Sequence, residues 1–202
     1  MDLRAVYVRA HQMAAEEVLN IELEEARVLE LMETGMPIRA HMALLDEPST
    51  DRLVEVFVER YRQEREDLAR PFPGMLALVG YVRDAGVGVA VVTSKLRADA
   101  LAELATTGFG DLVDVVVAFE DTQVHKPDPA PQLAALRAVG ASGGVGVGDL
   151  PTDIRSARAA GLRAVGVSWG YGSAASLLEA GAASVCDTVA QLESEVREQL
   201  KL

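Results

Sequence analysis

From residue 74 onward the chain alternates short Val-rich runs with helical stretches, and few folds accommodate that order. Residues 87–92, 112–119, 144–148, 162–167 and 183–186 are strand-length apolar runs. Helical patterns follow near 97–107, 129–139 and 152–160, and a last one closes the chain. A strand that is apolar along its whole length is covered on both faces, and a strand repeatedly followed by a helix pairs in parallel with the next. The prediction is an α/β fold: a doubly wound, Rossmann-like parallel sheet.

Residues 1–70 follow a different period. Leu3, Val6, Tyr7, Ala10, Met13 and Ala14 recur at i, i+3, i+4 and i+7, as do Leu53, Val56, Phe57 and Tyr61. Gly35-Met36-Pro37 interrupts the helices, and Ser49 or Thr50 is placed to cap the later one. No strand-like run occurs here, so this part reads as an all-helical subdomain. Pro71-Phe72-Pro73-Gly74 cannot continue a helix and marks the boundary with a core of residues 71–202.

A net charge of −12, spread along the chain, argues against nucleic acid or an anionic membrane as partner. No apolar run approaches a membrane span, and Asp2, Arg4 and Arg9 leave no room for a signal sequence, so the expected location is cytoplasmic. The single cysteine, Cys186, fits a reducing compartment and reads as a small core residue. Nothing in the sequence discloses the oligomeric state.

Three motifs fall at strand exits, where open α/β sheets place their ligand sites. The first is Val91-Val92-Thr93-Ser94-Lys95. Hydroxyls and backbone N–H groups of Thr93 and Ser94, just before a helix, can hold a phosphate oxygen, although Ser and Thr there also serve as plain caps. The second is His125-Lys126-Pro127-Asp128-Pro129. Arg carries most of the positive charge, and two of the three lysines, Lys95 and Lys126, fall inside motifs. An ammonium is a compact charge suited to a phosphoryl group, and the prolines stiffen the loop that presents it. The third, Gly146-Val147-Gly148-Asp149-Leu150-Pro151-Thr152-Asp153, puts two carboxylates around one loop. That donor set suits Mg²⁺, although Asp153 can equally complement a helix dipole and Asp149 a turn. Trp169-Gly170-Tyr171-Gly172, Glu120 and Asp121 lie at further strand exits, whereas His11 and His41 lack the companions of a metal site.

In this order the three motifs resemble motifs two, three and four of the haloacid dehalogenase superfamily. From about residue 71 to 187 the chain is similar to that superfamily's phosphoglycolate phosphatase and pyrophosphatase branch, and the preceding helices resemble its cap. The resemblance implies a mobile helical cap, Mg²⁺ dependence, a small phosphorylated metabolite as substrate and phosphoryl transfer to an aspartate. Thr93, with Ser94, would bind the phosphoryl group; Lys126 would neutralise its charge; Asp149 and Asp153 would hold or support Mg²⁺. Arg39 could contact substrate by analogy. Leu150 departs from the small polar residue common after the motif-four Asp.

The superfamily's opening motif, an Asp-x-Asp-Gly-Thr loop after a strand, has no counterpart here. Asp2 has one residue before it and a helical stripe after it. In the family fold the missing strand lies between the runs ending at Val92 and Gly148, so either those two strands close up or the natural chain is longer. The second is the expectation, with a nucleophile loop preceding Met1 and the 202 residues alone nearly inactive. Two alternatives stay open: a catalytically inactive relative that binds a phosphorylated ligand or a protein, and an inorganic pyrophosphatase.

Overall fold

The stripe on residues 3–14 becomes one face of helix α1 (Arg4–Leu19), and residues 53–61 become the facing stripe of α4 (Thr50–Leu68). Val6, Ala10, Ala14, Leu53 and Val56 are fully buried between them, with Phe57 beside them. Tyr7 packs on Tyr61 at 4.9 Å between ring centroids. Two shorter helices, α2 (Glu25–Glu33) and α3 (Ile38–Leu45), complete this part, separated at Gly35 and Pro37. The cap expected from Ser49 or Thr50 is not made. Ser49 instead donates its backbone N–H to the Asp46 carboxylate at 3.0 Å, and the Thr50 hydroxyl donates to the Glu47 carbonyl at 2.8 Å. Burial of the α1–α4 seam holds this unit, and Leu53→Ala is expected to cost about 2–5 kcal/mol in denaturant titrations.

The computed structural model describes residues 1–202, which divide into two units, Met1–Arg70 and Pro71–Leu202. The second opens with α5 (Met75–Asp84) and then alternates strand and helix: β1 (Ala90–Val92), α6 (Arg97–Thr106), β2 (Val115–Val117), α7 (Ala130–Ala138) and β3 (Val145–Gly148). It continues through α8 (Pro151–Ala159), β4 (Arg163–Val167), α9 (Ala174–Glu179), β5 (Ser184–Cys186) and α10 (Val189–Leu200). β4 shows the double winding. Val165 and Val167 pack with Leu78 and Leu192 on one face, and Ala164 packs with Ile154 and Leu177 on the other. Cys186 is buried in the first of these clusters. No helix is long and apolar enough to cross a membrane.

The strands are shorter than the apolar runs. The run at 112–119 keeps only β2, because single turns of 3-10 helix occupy Gly110–Leu112 and Phe119–Asp121. The Asp121 carboxylate takes the Ala118 N–H at 2.7 Å and stops the strand there. All pairings are parallel, but the sheet is split: β1 pairs with β2, while β3, β4 and β5 form a separate group in that order. β1 and β3 have not closed up on each other.

Candidate functional site

The carboxyl ends of β1 and β3 converge on Lys126. Its Nζ donates to the Val92 carbonyl at 3.2 Å and to Asp153 Oδ1 at 2.7 Å. The Lys126 side chain is 13 % exposed and that of Asp153 16 %, so this is a sheltered ion pair and not a solvated loop lysine. Pro127 follows Lys126 through a cis peptide. The loop is tied down beyond it, since the Asp128 carbonyl accepts from the buried Ser156 hydroxyl of α8 at 2.7 Å.

Asp153 stands in the first turn of α8, where its second oxygen accepts the Leu150 N–H at 3.1 Å. The dipole-complementing role is therefore real, and it coexists with the ion pair to Lys126. A side chain at Gly148 would collide with Asp153, so glycine there lets the carboxylate reach the end of β3.

Asp149 follows β3 directly. One of its carboxylate oxygens accepts the Tyr171 N–H at 3.0 Å, and its carbonyl accepts the Gly172 N–H at 2.8 Å. Gly170 and Gly172 pass so close that neither could carry a side chain. The glycine-flanked aromatic segment thus serves as a wall for Asp149, while Trp169 packs into the core, edge-on to Phe72. Burial, then the charge of Asp153, push the Asp149 carboxyl above its ordinary range; the Tyr171 N–H and Lys126 oppose them.

Thr93 and Ser94 do not cap α6. The capping position is Leu96, which has no side-chain bond to the helix. Thr93 Oγ1 instead accepts the Lys95 N–H at 3.2 Å, and Ser94 is exposed. The loop is anchored by Lys95, whose Nζ reaches Glu103 at 2.6 Å and whose carbonyl accepts the Phe119 N–H. Glu103 is fully buried. Sequence reasoning missed it, although a signal was present: Glu103 shares the buried face of α6 with Ala100, Leu104 and Thr107. Glu103→Ala leaves a half-buried ammonium without its counterion and is expected to cost about 3 kcal/mol in denaturant titrations.

The remaining candidates are engaged elsewhere. Asp121 is paired with Arg97, and Glu120 accepts the Arg97 N–H at 2.9 Å, so both hold the start of α6. His125 stacks on Phe119 with centroids 3.9 Å apart. In the helical unit Arg39 pairs with Asp51 at 2.6 Å, Asp2 bridges to the backbone of Arg70, and His11 and His41 are buried.

A hydroxyl, an ammonium and two carboxylates around two strand exits can grip a phosphate and a hard divalent cation together. The donor set fits Mg²⁺, which takes one or two protein carboxylates and keeps several waters. The fold and this edge define a Rossmann-like α/β core of the haloacid dehalogenase kind. The chain belongs to the haloacid dehalogenase-like hydrolase family, whose model matches residues 1–167. It is 36 % identical over 149 residues to a phosphoglycolate phosphatase of Rhodospirillum rubrum, covering 73 % of this chain and 61 % of that protein. It is 31 % identical over 127 residues to a pyrophosphatase of Bacillus pumilus, covering 62 % of this chain and 59 % of that protein. The match thus spans about three-fifths of these two relatives. A haloacid dehalogenase-like hydrolase from Streptococcus pneumoniae shares the fold with a TM-score of 0.83 at 18 % identity, over 96 % of this chain and 91 % of that one.

Proposed function

We propose that these residues form the phosphate- and metal-holding part of a cytoplasmic, Mg²⁺-dependent phosphate monoester hydrolase of phosphoglycolate phosphatase type. The observation that carries this reading is the Lys126–Asp153 pair at the shared exit of β1 and β3, beside Asp149. In it the Thr93 hydroxyl and the N–H groups of the loop through Ser94 hold phosphoryl oxygens. Lys126 offsets charge that develops on them, while Asp153 keeps its ammonium aimed at the strand ends. Asp149 and Asp153 hold the metal, which when bound would neutralise the phosphoryl group's charge. The attacking carboxylate of an aspartyl-phosphate route is not among the residues gathered here; this reading assigns it to a further segment of polypeptide.

The test uses a protein carrying such a segment, assayed on 2-phosphoglycolate, pyrophosphate and p-nitrophenyl phosphate. Turnover of a monoester with Mg²⁺ and none with EDTA is expected, with Asp149→Ala reducing it at least about 100-fold, as loss of a transition-state contact does. Preference for pyrophosphate would transfer the assignment to the pyrophosphatase reading. The alternative reading is a catalytically inactive relative that binds a phosphorylated ligand. It predicts thermal stabilisation by ligand without turnover in either form.

A further inference from the structure

The backbone around Lys126 is held from both sides. Beyond it, the Asp128 carbonyl takes the Ser156 hydroxyl of α8 at 2.7 Å. Before it, the imidazole of His125 lies almost flat on the ring of Phe119, with centroids 3.9 Å apart and planes 19° from parallel. Phe119 is in turn pinned to the other candidate phosphate loop. Its N–H donates to the Lys95 carbonyl at 2.9 Å, and the Thr93 N–H donates to the Val117 carbonyl at 2.9 Å. These two bonds carry the β1–β2 pairing past Val92 and fasten the Thr93–Ser94 loop at each end. Glu103, fully buried in α6, anchors the same loop by taking the Lys95 ammonium at 2.6 Å. A continuous line of contacts therefore runs from Glu103 through Lys95 and Phe119 to His125, the residue before Lys126. Local hydrogen bonds close the Lys126 segment on itself: the Asp128 N–H donates to the His125 carbonyl at 2.9 Å, and the Thr122 hydroxyl to the Val124 carbonyl at 2.8 Å. Neither of those bonds reaches the Thr93 loop, whereas the ring stack does so through Phe119.

We infer that Phe119 and His125 are a positioning pair, which fixes the Thr93–Ser94 loop and Lys126 at one separation so that both reach the same phosphoryl group. The inference rests on the phosphate-holding reading of Thr93 and Lys126. The placement of the rings argues for this role and against a share in the core. Phe119 is 44 % exposed, so its ring contributes little apolar burial to the fold. What the stack supplies is geometry, since two flat faces in contact set the spacing and tilt of the backbones that carry them. Lys126 needs that support. Its ammonium rides on a flexible four-carbon stem, and a grip made from two loops weakens steeply when either loop shifts by about an ångström. In this role the imidazole serves as a flat ring, and another aromatic ring can replace it.

The experiment titrates this chain with inorganic phosphate in Mg²⁺, read by phosphorus NMR line broadening, and records the thermal unfolding of each variant without phosphate. His125→Ala and Phe119→Leu should each weaken phosphate binding at least about 10-fold, as loss of alignment does. Their unfolding midpoints should fall by no more than about 3 °C, because a half-exposed stack adds little to stability. His125→Phe keeps the stack and should bind phosphate within about threefold of the parent. The double variant should bind no worse than either single one, since the same contact is lost in all three. Parent-like binding by His125→Ala would overturn the inference, leaving the stack a purely structural contact. Binding by His125→Phe as weak as by His125→Ala would also overturn it, because the imidazole itself would then be the group that matters. Lys126→Ala distinguishes these results from failure of the underlying reading. If it binds phosphate as well as the parent, or if the parent binds none, the phosphate site falls and the inference with it. If it binds weakly while His125→Ala binds normally, the positioning role alone falls.

Discussion

Lys126→Ala is expected to reduce the Mg²⁺-dependent turnover of the proposed phosphatase by about 100- to 1000-fold, the usual loss when one preorganised charge is removed from a reacting group. The same substitution should destabilise the chain by about 3 kcal/mol, since it strands the sheltered Asp153 carboxylate and removes a donor from the Val92 carbonyl. These effects come apart in Lys126→Arg, which restores charge near Asp153 but replaces a compact ammonium with a planar fork. Stability should largely return and turnover should not. The reciprocal change, Asp153→Asn, should leave the ammonium in place but less well aimed. It should lower turnover by less than Lys126→Ala, and the double variant should fall short of the product of the two single losses, because the residues act as one unit. Turnover of Lys126→Ala within a factor of three of the parent would remove Lys126 from the assigned role.

A second large effect is expected from acid, and it resides in the helical unit. His11 on α1 and His41 on α3 are both buried, with ring centroids 5.6 Å apart, and His11 lies edge-on to Phe57 of α4 at 4.8 Å. His11 Nδ1 bonds the Tyr7 carbonyl at 2.8 Å, while its Nε2 and both nitrogens of His41 have no partner in the protein. Burial pushes His11 down to about 4, the Tyr7 carbonyl opposing and His41 adding to the shift, and burial also lowers His41. Both rings are therefore neutral in the folded state. The unfolded chain takes up protons near its ordinary value of about 6.5, so it binds more protons than the folded one below that pH. Stability is full above about pH 7 and falls as the pH drops from 6.5 towards 4. Linkage at His11 alone accounts for roughly 3 kcal/mol of that loss, and His41 adds in the same direction. Denaturant titrations at pH 7, 6, 5 and 4.5 should show this slope, and His11→Phe should flatten it. An unchanged slope in His11→Phe would place the acid sensitivity elsewhere.

What could be read from the chain and what could not divide along sequence separation. The alternation after Gly74 specifies strand–helix order because a buried strand and an amphipathic helix are each recorded locally, in periods of two and 3.6. The stripes at 3–14 and 53–61 specify the α1–α4 seam for the same reason, and the motifs at 93–95, 125–129 and 146–153 point to the exits of β1 and β3 because strand ends follow from where apolar runs stop. The lengths of the strands were less legible. Asp121 ends β2 by bonding the Ala118 N–H, a side-chain bond that competes with the ladder and leaves no mark on hydrophobicity.

Composition, periodicity and motif order by themselves determined a helical part, a doubly wound core and the sheet edge along which the three motifs lie. Only the tertiary structure decided that Lys126 is held by Asp153, that Asp149 leans on the backbone of Tyr171, that Glu103 anchors the Thr93 loop through Lys95, and that β1 and β3 stand apart. Those outcomes depend on which charges burial forces together across tens of residues and on which strand edges find a neighbour. Burial and pairing are properties of the packed chain, and no local pattern records them.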